Sequence, residues 1–434
     1  MKIMIVSPYT TGSLRGHLKL KEYGPLLKAF INKRGLSQRV EVRDVAPWVG
    51  QLIEELEKQP EVELYSVSPQ IKMCKAVESF QLGKTTYYFY SSDYSSALRM
   101  VCNYCVWRKW QNCGRRVRRI AAKIKPDLVI VYGTENPVVS TAVMSLIHQF
   151  PVLCVIQTIY NNPAREKYNL PNRLIQELER DVIAHAHFLG TEDRPYYDLI
   201  MGMNPRAVVV EYPYPRTPFP ALPEQEKIFD FVNYAFSMDA RKGDEDSLRA
   251  LAIVKHHYPN VTLNIAGALS EERRAYLNEI VDELGLSENV SFTPMFERKE
   301  DMLLHVMQAR FAVLPVKLDM ISTTTREAMY YRLPVVTSIT PATPALNRDK
   351  PCVLLAEKGN IAMLGQKMLE LMEDESFSRM LAQNAYEYLE AEMDNKPKVE
   401  ILMGVFNAII AHQREGAEVP RDLLFDIAKH PILG

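Results

Sequence analysis

Twice along this 434-residue chain, short apolar runs alternate with longer helical patterns, and a proline-dense stretch divides the two series. In the first series Ile3–Val6, Leu128–Tyr132, Val152–Ile156 and Val208–Tyr212 are continuous apolar runs, with Val138–His148 as a crossover helix between two of them. Runs without polar alternation suit parallel strands buried on both faces. In the second series Phe231–Phe236, Val261–Ala266, Phe311–Val316, Pro334–Ile339 and Cys352–Leu355 read as strands. Ser247–His256, Glu271–Leu284, Glu300–Gln308 and Thr325–Arg332 read as helices between them. Alternation of this kind builds a doubly wound parallel sheet. The divider holds Pro213, Pro215, Pro218, Pro220 and Pro223, whose locked φ and missing N–H favour a stiff connector. The expected class is therefore α/β, with two doubly wound Rossmann-like domains facing a cleft. Their boundaries are read as 1–212, a linker at 213–227, a second domain at 228–395 and a helical segment at 396–434. In that last segment Val399, Leu402, Met403, Phe406, Ile409 and Ile410 recur at helical spacing, and their apolar face is expected to pack back across the lobes. A chain this long exceeds one ordinary core. Ligands of such sheets bind outside the carboxyl ends of the strands, which places the expected site in the cleft.

Composition narrows the function. The formal net charge is −1, so no global field points to nucleic acid. The N-terminus, MKIMIVSPYTTG, has one basic residue and a short β-type run, and it reads as a first strand instead of a signal peptide. No apolar run reaches the roughly 18–20 residues that span a bilayer. The expectation is a cytoplasmic protein. Cys102 and Cys105 form a C-x-x-C without a second pair, whereas a structural zinc wants four ligands; the six cysteines read as reduced thiols. His185 and His187, two apart beside an apolar strand, read as structural. Asp244-Glu245-Asp246 is a D-x-D at a helix start, where acids serve capping and the dipole. No metal and no cofactor are expected.

Two segments carry the chemistry. FVNYAFSMDARKG runs a strand into a short loop that sets Arg241 and Lys242 before a helix beginning near Asp244. Two cations and a positive helix end favour a diphosphate; the plainer reading is two basic residues facing water. FAVLPVKLDMISTTTREAMYYRLP ends a strand near Pro315, passes Asp319, and enters a helix through Ser322, Thr323, Thr324 and Thr325, with Glu327 in its first turn. Free N–H groups and hydroxyls there make an anion site, and Glu327 is placed to accept from ribose hydroxyls. Thr324 and Glu327 also stand as T-x-x-E, a capping box that accounts for both without a ligand.

These segments resemble the GT-B retaining glycosyltransferases of family 4. Lys242-Gly243 matches that family's Lys-Gly at the end of a strand–loop. Glu327-Ala328-Met329 followed by Leu333-Pro334-Val335-Val336 matches its second-glutamate element, with Asp319 in the place of the first glutamate. Pro126-Asp127-Leu128-Val129 and Pro151-Val152-Leu153 correspond to strands of the first lobe. The resemblance implies a metal-independent, retaining transfer of a sugar from a UDP- or GDP-linked donor to a hydroxyl acceptor, by front-face attack. It implies that Lys242 binds the donor diphosphate, with Arg241 beside it; that Glu327 holds the ribose; and that Asp319 and the hydroxyl series after it face the donor sugar. Lys242, Asp319 and Glu327 are thus the implied catalytic set. Two departures stand out: Ser237 replaces the family's arginine, and Asp319-Met320-Ile321-Ser322 replaces its glycine-rich turn. In the first lobe Gln157 takes the place of a histidine, with Tyr160 and Asn161 near it; the loop carrying Gly12 and Ser13 follows the first strand and is expected beside the cleft.

The segment from Trp107 to Lys125 holds eight cations, two tryptophans and no acid. One reading is peripheral contact with an anionic membrane surface, where a lipid-linked acceptor and polysaccharide synthesis at the inner face would place the enzyme. The other is a solvated basic face with its tryptophans buried. Against the enzyme stands a second function class, a GT-B-shaped binding or assembly subunit without catalysis, for which Ser237, Asp319 and Gln157 argue. A hydrolase or epimerase lacks any residue pair to name.

Overall fold

The computed structural model describes residues 1–21, 45–92, 103–163, 173–317, 321–340 and 342–430. They form two compact units, Met1–Thr217 with Asn395–Lys429, and Pro218–Asp394 with His430.

The first unit is an eight-stranded sheet ordered β3-β4-β2-β1-β5-β6-β7-β8. Its strands are β1 (Lys2–Val6), β2 (Glu63–Gln70), β3 (Val77–Leu82), β4 (Thr85–Ser91), β5 (Leu128–Tyr132), β6 (Val152–Val155), β7 (Phe188–Thr191) and β8 (Val208–Glu211). All ladders are parallel except β3–β4. Its helices of more than one turn are α1 (Pro47–Glu57), α2 (Asn103–Ile124), α3 (Pro137–Leu146), α4 (Arg173–His185) and α5 (Arg194–Met203). Strand order reverses at β1–β5, the switch point where such sheets open to ligands. α2 lies on α3 so closely that a Cβ on Gly114 would stand 2.7 Å from the carbonyl of Thr141. It buries Trp110, Cys113, Val117, Ile120, Ala121 and Ile124 and exposes Arg115, Arg118, Arg119 and Lys123. Trp110 is therefore a core residue and no membrane anchor; Cys102 and the side chain of Trp107 lie outside the described residues.

The second unit is a six-stranded parallel sheet, β11-β10-β9-β12-β13-β14. Its strands are β9 (Phe229–Ser237), β10 (Leu263–Ala268), β11 (Val290–Thr293), β12 (Ala309–Leu314), β13 (Val335–Ser338) and β14 (Leu354–Ala356). The helices are α6 (Asp244–Lys255), α7 (Glu271–Glu283), α8 (Lys299–Val306), α9 (Thr323–Tyr330), α10 (Ile361–Glu373) and α11 (Glu375–Glu392). Side chains alternate across a strand. Phe231, Ile265 and Val313 accordingly pack with α6, α7 and α10, while Val232, Tyr234 and Leu314 pack with α8, α9 and α11. Both faces are covered, as a parallel sheet requires.

The final helix, α12 (Lys396–Glu415), returns to the first unit. Val399, Leu402, Val405, Phe406 and Ile409 are buried against Ile3, Ile5, Ile130, Val155 and Val210. Each such side chain contributes about 1.5–3 kcal/mol relative to an exposed one. This helix is thus a structural part of the N-terminal sheet, covering one of its faces.

Candidate active site

Backbone geometry builds the first wall. β9 ends at Ser237, and Asp239 caps a single 3-10 turn, Ala240–Lys242, by accepting from the Arg241 N–H at 2.9 Å. Gly243 follows at φ +70°, and any Cβ there would meet the Pro315 carbonyl at 2.2 Å. Only glycine fits, because the conformation is left-handed and the end of β12 presses on it. The Lys317 N–H donates to the Arg241 carbonyl at 2.8 Å, and the Lys317 ammonium pairs with Asp246 at 3.0 Å. From beneath, the Asn233 amide donates to Ser247 Oγ at 2.8 Å. The loop is held on both sides before any ligand arrives.

That wall presents Lys242 more than Arg241. Asp239 grips the Arg241 guanidinium through Nε at 3.0 Å and Nη2 at 2.6 Å, so its charge is already balanced. Among the described residues no carboxylate pairs with Lys242. Burial pushes the Lys242 amine below the ordinary lysine range; Asp239 and Glu327 pull it back up, while Arg241 lowers it further. A half-buried cation short of counter-charge suits an incoming anion.

α9 supplies the second wall. Its N-cap is Ser322, whose hydroxyl accepts from the Thr325 N–H at 3.1 Å. The cap expected at Thr324 is therefore corrected by two residues, and T-x-x-E is not a capping box here. Ser322 Oγ also shares hydrogen bonds with Thr324 Oγ1 at 2.9 Å and Thr325 Oγ1 at 2.8 Å. Tyr234 of β9 donates to the Thr324 carbonyl at 2.7 Å, which ties the helix start to the sheet. Thr323 is exposed, and Asp319 lies outside the described residues.

Glu327, freed of the capping role, is 2% exposed. Its Oε1 is 2.7 Å from the Lys299 ammonium of α8, while its Oε2 is buried without a hydrogen-bond partner. Burial raises its carboxyl above the usual range; Lys299 and then Lys242 draw it down part of the way. An unpaired buried carboxylate oxygen costs free energy that a hydroxyl donor would recover. Lys242 and Glu327 thus share one electrostatic neighbourhood within this unit.

The other expected acids are occupied. Asp244 follows the cap Gly243 and is not itself the cap; it pairs with Arg273 at 2.5 Å. Glu245 binds Arg249 at 3.0 Å and Tyr276 at 2.9 Å. Among the described residues no three His, Cys, Asp or Glu groups are placed to hold a metal ion. His185 donates from Nδ1 to the Asp181 carbonyl at 2.8 Å, and His187 meets His412 at 3.3 Å.

In the first unit Gly12 and Ser13 form an exposed single turn capped by Thr11. Gln157 lies beside Gly133, which ends β5 at φ +90°. Asn161 is committed to α4: its amide donates to Glu179 at 2.7 Å and Gln176 at 2.8 Å, and Arg180 donates to its oxygen at 2.9 Å. The same buried Glu179 accepts from the Tyr160 N–H at 2.9 Å. Asn161 is thus a loop support. Lys299, Asp239 and Lys317 went unread in the sequence: Lys299 and Lys317 pair with acids distant in the chain, which no local motif marks, and Asp239 pairs with Arg241 two residues on within the basic loop.

Comparison with known proteins bears on the family and the fold. Residues 219–388 match the family described as glycosyl transferases group 1. No curated protein matches the chain. Among solved structures the chain is similar to sucrose-phosphate synthase from Thermosynechococcus elongatus (TM-score 0.66, 14% identity, 95% of this chain and 99% of that one). It is similar also to the E. coli trehalose-6-phosphate structure bound with UDP-2-fluoro glucose (TM-score 0.64, 9% identity, 94% and 99%). A third is HepE from Anabaena in complex with UDP (TM-score 0.60, 12% identity, 94% and 100%). The two-sheet architecture is the GT-B fold.

Proposed function

With a glycosyl transferases group 1 domain at residues 219–388 making this chain a GT-B glycosyltransferase, we propose that it moves a sugar from a nucleotide-sugar to a hydroxyl acceptor with retention and without a metal ion. The observation that carries the reading is the buried Glu327 carboxylate, whose Oε2 lacks a partner beside the under-balanced cation Lys242. In this reading Glu327 accepts from a ribose hydroxyl. Lys242 and the free N–H groups opening α9 oppose the charge of the diphosphate. Thr323, Ser322 and the segment with Asp319 meet the sugar.

The chemistry then asks for little from a base. The acceptor oxygen attacks the anomeric carbon on the face from which the bond to the phosphate oxygen breaks, and its proton passes to that leaving oxygen. The bonding pair leaves with the nucleoside diphosphate, where Lys242 stabilises it as charge develops. Positioning supplies the rest of the rate. UDP is the first candidate nucleotide, since similar proteins of this fold were solved with it. The exposed cations Arg115, Arg118, Arg119 and Lys123 of α2 support a lipid-linked acceptor at an anionic membrane surface.

The test is thermal shift with UDP, GDP and ADP, followed by a nucleotide-sugar screen read by mass spectrometry in EDTA. A bound nucleotide raises the midpoint by mass action. No response to any of the three, or turnover that EDTA abolishes, would contradict the reading.

A further inference from the structure

Glu327 raises a question that ribose recognition leaves open: what keeps a carboxylate with 2% exposure ionised once a nucleotide sits beside it? Two cations face it. Lys242 acts on it electrostatically from the loop after β9, and Lys299 pairs with it from the first turn of α8. Tyr234 of β9 and Tyr331 just after α9 also lie in its field, and burial holds both phenols protonated. Glu300, next to Lys299, faces Tyr331.

The two cations are not equivalent. Lys242 is the group that meets the diphosphate in the reading above, so phosphate charge offsets it on binding. Lys299 remains as the cation for Glu327. Its position suits the part: half-exposed, its ammonium keeps much of its hydration, while its ion pair reaches a carboxylate that has almost none. A pair with one wet end avoids most of the cation's desolvation penalty.

We infer that Lys299 is a positioning residue for nucleotide binding: its ammonium, held to Oε1 of Glu327, fixes the carboxylate and keeps it charged, leaving Oε2 to accept from the ribose. This inference rests on the proposed ribose contact. It separates Lys299 from a surface ion pair, because its effect belongs to the bound state and depends on pH.

The experiment is UDP titration by calorimetry on the full chain between about pH 6 and about pH 8.5, with GDP and ADP in parallel, for the parent, Lys299→Met, Lys299→Arg and Glu327→Gln. Comparison with the parent at each pH cancels the titration of the nucleotide itself. Lys299→Met is expected to bind more weakly than the parent at every pH, with the deficit growing from about twofold at the alkaline end to about tenfold at the acid end, because a buried Glu327 carboxyl that has lost its paired cation takes up a proton more readily as pH falls. Lys299→Arg should track the parent. The Lys299→Met/Glu327→Gln double variant should show no such pH dependence. A Lys299→Met loss of equal size at every pH, or no loss, overturns the inference. Glu327→Gln with parental affinity overturns the ribose contact as well, and a parent that binds none of the three nucleotides overturns both. Lys299→Met leaves Glu327 without its paired cation, so its melting temperature should fall, more at the alkaline than at the acid end, while Lys299→Arg should keep the parental value; both are measured alongside.

Discussion

Glu327 carries a standing cost in the folded chain. Its carboxyl is raised above 4.5 by burial, so the folded state binds more protons than the unfolded one between 4.5 and the raised value. Stability therefore falls as pH rises through that window, and above it the full cost of a buried charge remains. Glu327→Gln removes the charge, and Lys299 returns to water. The variant should melt at or above the parental temperature at neutral pH, with its advantage growing as pH rises through the window, while UDP binding is lost. A clear drop in melting temperature would mean that the carboxylate is structural. Lys242 titrates the other way: its amine is pushed below 10.5, so UDP affinity should decline as pH climbs toward that depressed value, earlier than an ordinary lysine allows. Lys242→Ala should weaken UDP binding by about 1–3 kcal/mol, read by calorimetry.

At the scale of elements, the loop between β9 and α6 is the part most exposed to a single methyl group. Gly243→Ala adds a Cβ 2.2 Å from the Pro315 carbonyl in a left-handed conformation. A loss of at least about 2 kcal/mol of stability in denaturant titration is expected, together with weaker UDP binding. Unchanged stability would show that the loop yields. This loop was legible in advance, since a β-rich run, a basic pair and a glycine before a helix occur in one line of sequence. The start of α9 was not. Ser322, Thr323, Thr324 and Thr325 are each acceptable caps, and the Tyr234 bond to the Thr324 carbonyl anchors the register from a distant strand. β2, β3, β4 and β11 also escaped notice. ELYSVSPQ in β2 carries a proline and buries Ser66 and Ser68, which no apolar run betrays. VSFT in β11 is short and only half-buried. The pairing of Lys299 with Glu327 joins two helices, so it exists only after packing.

At the scale of the molecule, the terminal helix decides the integrity of the first unit. Phe406 is fully buried in that unit's core, and Phe406→Ala should cost about 3–5 kcal/mol. Hydrogen exchange should locate the loss in residues 1–217 and leave 218–394 protected; equal loss in both would mean that the units unfold as one. The exposed basic face of α2 makes a separate prediction. The chain should co-sediment with vesicles containing phosphatidylglycerol and release them as salt rises, while Arg115, Arg118 and Arg119 changed together to Gln should abolish it. Equal recovery with neutral phosphatidylcholine vesicles would exclude the electrostatic contact.

The chain passes from the first unit to the second after Thr217 and returns at Asn395, so residues 218–394, which hold nearly all of the second unit, are inserted between the two segments of the first. On the ribosome this sets an order of events. The segment synthesised first has its β-sheet but lacks the helix that covers one face, and it waits with apolar surface open while some 180 further residues emerge. Residues 218–394 carry all six strands and the six α-helices described for the second unit as soon as they leave the exit tunnel. The later-made sheet is therefore positioned to fold first, and a nascent chain stalled near residue 395 should pair a folded second sheet with an N-terminal half that still recruits chaperones.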